Sequence, residues 1–152
     1  MTAPQGNAMF EKSFDNVQFA SKKMDYVTPW EVFRAWDMTH GTFEVDVFAT
    51  PENAKCEDYI TEDKGLEEYW FGTCWLNPFY DARIGLWIAK AMGELTEGHT
   101  SRVVALLPAR VDTAWWHELV MPYGKIHYQR GLVLLEGREG VEPLPSAIVV
   151  FE

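Results

Sequence analysis

Residues 73–81 read TCWLNPFYD. A short apolar run, Cys74-Trp75-Leu76, breaks abruptly at Asn77-Pro78, and the aromatics Phe79 and Tyr80 follow. In an open α/β sheet, ligands bind at strand ends of this kind. The residue types can hold an exocyclic amine. Asn77 can accept a hydrogen bond through its side-chain oxygen, the carbonyl of Pro78 can accept a second, and Tyr80 offers a ring for stacking. An amine held this way has its lone pair directed outward, ready for alkyl transfer. Displacement at carbon then needs alignment rather than a covalent nucleophile or a metal. The competing reading is a tight turn, because Asn-Pro is common in turns.

A second candidate is FEVDVFATPENAKC, residues 43–56. Asp46, in an alternating strand, can hold a ligand's ammonium or ribose, with the small Ala49 beside it. Alternatively, Asp46 is a strand-end carboxylate that caps the next turn. There is no GxGxxG, so a dinucleotide fingerprint is absent. A third candidate is LLPARVDTAWWH, residues 106–117. Arg110 can reach a phosphate and His117 can act as a base. The competing reading pairs Arg110 with Asp112 and places the two tryptophans in the core. No Ser/His/Asp constellation is present. No stretch has metal-ligand spacing, and Cys56 and Cys74 form no CxxC pair, so they read as two buried thiols in a reducing compartment.

These residues need elements to position them. Thr28 can cap a helix over residues 28–38, with Pro29 at its first position and Glu31 completing a capping box. Val32, Phe33 and Trp36 fall on one face of that helix. Residues 42–48 alternate as a strand. A second strand covers 74–76, an amphipathic helix 81–93, and a strand with an apolar core, RVVALL, 102–107. Asp112 can cap a short helix that Met121-Pro122-Tyr123-Gly124 stops. Residues 126–135 and 147–151 read as two closing strands around a turn at 136–142. Alternating strands and helices imply an α/β sheet. Too little chain separates the closing strands for a crossover helix, so they are expected as an antiparallel hairpin at one edge.

A chain of 152 residues suits one core. No apolar run is long enough for a membrane helix, and the first residues lack a signal-peptide pattern, so a cytosolic protein is expected. The net charge is −10, which disfavours polyanions as partners. The charge is uneven, with 14 acidic and 6 basic residues in 1–72 against 9 and 7 in 73–152. A nucleic acid must therefore approach the second half, through Arg83, Arg110, Arg130 or Arg138.

In this order, the segments resemble the phage and prophage DNA N-6-adenine methyltransferases, the Dam-like phage proteins. The likeness covers residues 26–152 and leaves 1–25 as an arm or tail. It rests on Thr28-Pro29-Trp30 with Phe33, Asp46-Val47-Phe48-Ala49, and Pro51 through Cys56. Tyr59, Thr61, Gly65-Leu66, Trp70 and Asn77-Pro78-Phe79-Tyr80 continue it. Leu107 through Arg110, Asp112-Thr113, Trp116-His117 and Pro143 through Ser146 complete it. The chain differs at Phe79, where the family has a second proline, and at Arg130-Gly131, where the family has glycine before arginine. The resemblance implies a compact Rossmann-like methyltransferase sheet, mostly parallel, with S-adenosylmethionine as methyl donor. It implies that Thr28, Pro29 and Asp46 lie near the donor's methionine end, with Ala49 beside them and Asn53 and Asp63 toward its ribose and adenine. Asn77, Pro78, Phe79 and Tyr80 then hold a flipped adenine. Arg110, Asp112 and Arg130 are expected to meet DNA, in the cytoplasm of a bacterial host. The chain has no room for a separate target-recognition domain, so loops or a second subunit, as in a homo-oligomer, must supply sequence specificity. Two other readings compete. One is an inactive methyltransferase-like protein that mimics DNA through its acidity or binds a host protein. The other is a methyltransferase for a different amine.

Overall fold

The computed structural model describes residues 27–131, 133–137 and 140–152. The expected N-terminal arm, residues 1–25, and Arg138 lie outside them. Six strands form one sheet in the order β2-β1-β3-β4-β8-β5. They are β1 (Val45–Val47), β2 (Asp58–Ile60), β3 (Gly72–Leu76), β4 (Thr100–Pro108), β5 (Lys125–Tyr128) and β8 (Ser146–Phe151). Neighbours among β2, β1, β3 and β4 are parallel, whereas β8 runs antiparallel to both β4 and β5. The chain is thus the α/β protein expected, mostly parallel with antiparallel pairing at one edge.

The first expected strand, 42–48, shrinks to three residues for local reasons. The Phe43 N–H donates to the Asp37 side chain at 2.7 Å rather than to the ladder. At the other end Phe48 takes φ of 74°, a conformation rare for a bulky residue, and both Phe48 and Ala49 donate to the Ile60 carbonyl, at 2.8 and 3.0 Å. The chain turns out of the sheet there.

Helix α1 (Trp30–His40) precedes β1. It buries Phe33, whose ring meets Phe43 and Trp75 at centroid distances of 5.5 and 5.6 Å. The expected capping box is absent: Pro29 is the N-cap and no side chain caps the helix. The Thr28 hydroxyl instead accepts a hydrogen bond from Trp75 Nε1 at 3.1 Å, in the core. A hydroxyl can satisfy either donor, and burying the indole N–H makes that partner the costlier one to lose.

After β2 comes one helical turn, α2 (Glu62–Gly65). Helix α3 (Ile84–Thr96) connects β3 to β4 and starts later than its apolar spacing suggests. Residues 81–83 form a turn in which Asp81 accepts the Arg83 N–H at 2.8 Å. Ile84, Trp87, Ile88 and Ala91 are buried, as their spacing requires. At the far end of α3, buried Glu94 accepts from the Trp70 N–H at 3.2 Å, meets His99 at 2.7 Å and pairs with Lys90. Burial works against that charge, yet these partners hold the carboxyl below its ordinary value. A π-helical segment, Trp116–Val120, runs into α4 (Met121–Tyr123). Thr113, not Asp112, accepts from its opening turn, at the Trp116 N–H.

The closing strands depart most from expectation. Residues 126–135 are not one strand: β5 ends at Tyr128, and Gly131 follows with φ of 81°. β6 (Val133–Gly137) then pairs with β7 (Gly140–Leu144) in a two-stranded sheet of their own, where a simple turn was expected. β8 lies inside the large sheet and β5 outside it. All six residues of β8 are buried, which suits an interior strand, while β5, with exposed ends and half-buried middle residues, suits an edge.

Candidate active site

From β1 the chain moves outward to β2 and then returns to β3 on the other side of β1. The strand order reverses between β1 and β3, which opens a crevice at their carboxyl ends. Asp46 of β1 pairs with Trp75 of β3, and Asn77 is the first residue past β3. Strand pairing alone therefore brings the first two candidate segments together.

The connection after β1 is folded by Asn53. Its side-chain oxygen accepts from the Thr50 N–H at 2.8 Å, while the Asn53 and Ala54 N–H groups donate back to the Thr50 carbonyl. This doubles the loop back so that the Lys55 N–H donates to Asp46 at 2.8 Å. Asp46 is only 5% exposed. Burial pushes its carboxyl up to about 6, against the opposing influence of the Lys55 N–H and ammonium. The Lys55 ammonium donates to the Asn53 carbonyl at 3.1 Å and sits 4.7 Å from the Trp30 ring centroid.

On the β3 side, Asn77, Pro78 and Tyr80 are buried and Phe79 is half-buried. The Phe79 ring stands edge-on to Phe48 at 4.4 Å, and Phe48 in turn meets Trp87 of α3 at 4.6 Å. The unusual φ of Phe48 thus places an aromatic ring between the loop after β3 and the helix behind it. Strain of this kind clusters at functional sites.

A cleft of about 350 Å³, counting its open mouth, lies here. Thr28, Asp46, Asn53, Asn77 and Phe79, all expected from sequence, line it together. Val27, Phe48 and Lys55 also line it and were not singled out for a role. Lys55 sits in the quoted Pro51–Cys56 stretch, but only the Asn53-centred fold brings it back to Asp46. Pro29, Ala49, Pro78 and Tyr80 adjoin lining residues in sequence but are not in the lining. Asp63 is exposed, with Thr61 donating to its carboxylate. Arg110, Asp112 and Arg130 are likewise outside the cleft. Arg110 is in a two-pronged ion pair with Asp112, at 2.9 and 2.8 Å, as the competing reading of that segment had it. Arg83 pairs with Glu62 and Asp81, each at 3.0 Å. Trp116 is buried and Trp115 packs against the core. His117 bonds to the Val111 carbonyl at 2.7 Å. Cys74 is buried, whereas Cys56 is only half-buried; burial pushes their thiols up to about 11 and about 12. Among the described residues, no three His, Cys, Asp or Glu side chains gather to hold a metal ion, and no helix is long and apolar enough to cross a membrane.

The family model for DNA N-6-adenine-methyltransferase (Dam) matches residues 17–135, a stretch that contains every lining residue of the cleft. The chain belongs to this family. A DNA N-6-adenine-methyltransferase of Escherichia phage T1 is 32% identical over 94 residues, or 60% of this chain and 38% of the relative. The Dam-family chain described here therefore spans well under half the length of that relative in the aligned region. No solved structure matches. Membership accounts for the order of the segments along the chain, and the sheet accounts for their meeting at one crevice.

Proposed function

We propose that this chain transfers a methyl group from S-adenosylmethionine to the N6 amine of adenine in DNA. The observation that carries the reading is the convergence of Asn77 and Asp46 on one cleft, at the strand-order reversal, in a Dam-family chain. The cleft's residues fit the donor chemically. A carboxylate and an ammonium suit an amino-acid end, hydroxyl and amide groups suit polar atoms, and the Phe48 and Phe79 rings suit flat ones. When bound, S-adenosylmethionine supplies an electrophilic methyl group on a sulfonium.

The chain's own residues divide the remaining work. Asp46 accepts from the donor's ammonium, and the Thr28 side of the cleft faces the same end. The Asn77 side-chain oxygen and the Pro78 carbonyl accept from the target amine, which fixes the direction of its lone pair. Phe79, in the lining, offers its ring to the extruded base, and buried Tyr80 backs the loop that carries it. Holding the two reactants in line supplies most of the rate gain. The DNA is brought up by the arginine-bearing second half of the chain, in a bacterial host's cytoplasm. The inactive-binder alternative rests on the net charge of −10 and on Phe79 alone.

The test is incubation of the pure protein with S-adenosylmethionine carrying a labelled methyl group and unmethylated DNA. Label is expected in N6-methyladenine. Phe79→Pro restores the family's usual tetrad and should match or exceed the parent. If parent and Phe79→Pro both bind the donor but label no DNA at any salt or sequence context, the enzyme reading fails.

A further inference from the structure

Beside Asp46, Lys55 also lines the cleft. It is the lysine whose own backbone N–H is bonded to Asp46, so the loop after β1 holds the two residues side by side. The Lys55 side chain is also held in place. Its ammonium donates to the Asn53 carbonyl at 3.1 Å and lies over the Trp30 ring at 4.7 Å, with Arg34 over the same ring at 5.1 Å. A cation so fixed has lost much of the freedom that a surface lysine would give up on binding.

Resting on the proposed use of S-adenosylmethionine, we propose that Lys55 binds the carboxylate of the donor's methionine end, opposite the Asp46 carboxylate that takes the ammonium. An α-amino acid is a zwitterion, and a wall bearing one buried anion and one anchored cation is its complement. Among the described residues, Lys55 is the only cationic one in the cleft lining. Trp30 acts on this group as a positioning residue, through the face of its ring. The cleft therefore discriminates for a free α-carboxylate, and a donor lacking it loses the second half of the match.

The test compares binding of S-adenosylmethionine and its decarboxylated form by calorimetry, at pH 8 so that Asp46 is ionised. The parent should prefer the carboxylated ligand by about tenfold or more, as for a charge-assisted hydrogen bond. Lys55→Met should erase that preference by weakening the carboxylated ligand alone, and Lys55→Arg should retain most of it. A parent that binds both ligands equally overturns the assignment. So does a Lys55→Met variant that weakens both alike, because Lys55 would then act only through Asp46. Lys55→Met that keeps the preference overturns it too. A parent that binds neither ligand removes the methyl-donor reading itself, a distinct result.

Discussion

At the scale of residues, the proposed reaction gives Asn77 and Asp46 separable burdens. Asn77→Ala should lower methyl transfer by about a hundredfold or more, the usual cost of removing a preorganised polar group from a transition state. Donor affinity should stay near that of the parent, because the lost contact belongs to the target amine. Single-turnover rates and calorimetry on the same variant check both halves. For Asp46 the prediction is a pH dependence. Its carboxyl titrates near 6 in the fold against an ordinary value of 3.8. The raised value means the native state binds the extra proton. That contribution to stability is complete below about 3.8 and is lost as pH rises through about 6, roughly 3 kcal/mol in all. Asp46→Asn should therefore raise the melting temperature more at pH 8 than at pH 4. The parent's donor affinity should fall as pH drops through 6, while Asp46→Asn binds weakly at every pH. Several of these residues were legible in the sequence. An Asn-Pro-x-Tyr run at a strand end and a carboxylate in a neighbouring strand need only sheet pairing to meet. Lys55 was not, because its place depends on hydrogen bonds between Asn53 and Thr50 that fold one loop. Nor was the choice of Thr28 to satisfy an indole 47 residues away in sequence.

At the scale of elements, α2 is seated by a glycine. Gly65 is buried, and a Cβ there would overlap the Trp87 ring of α3. The Gly65 carbonyl also accepts from Trp70 Nε1 at 2.8 Å. Trp87 is itself fully buried and packed on Phe48, so it has no room to retreat. Gly65→Ala should cost about 1–3 kcal/mol, the range for overpacking, read as a lower denaturation midpoint at unchanged slope. Strands β4 and β8 and helix α3 were readable from apolar runs and period, since burial on both faces or on one leaves those patterns. The β5–β6 break was not. Residues 126–135 feed two different sheets, and Gly131 at positive φ, just after Gln129-Arg130, lies between them.

At the scale of the whole molecule, charge would govern the approach of the proposed DNA substrate. The chain carries −10 overall, and two of the arginines expected to meet the backbone are already engaged. Arg110 is held by Asp112, and Arg83 by Glu62 and Asp81. A phosphate must take over from those carboxylates. Asp112→Asn should therefore tighten DNA binding and steepen its salt dependence, and Arg110→Ala should weaken binding and flatten the dependence. Fluorescence anisotropy over a salt series reads both. If neither variant changes affinity or slope, DNA docks elsewhere on the molecule.

Strand β8 is bonded on both sides, to β4 and to β5, yet it follows both of them in the chain. During synthesis, β4 and β5 leave the ribosome with the gap between them unfilled. The whole β6–β7 hairpin must be made before the strand that joins them. Throughout that interval one side of β4, apolar from Val103 to Leu107, offers its backbone donors and acceptors to any passing extended segment. Slowed translation or crowding over residues 109–145 should thus lower the yield of native protein without changing the stability of molecules that complete the sheet. A late strand decides whether the nascent chain closes on itself or pairs with its neighbour on the polysome.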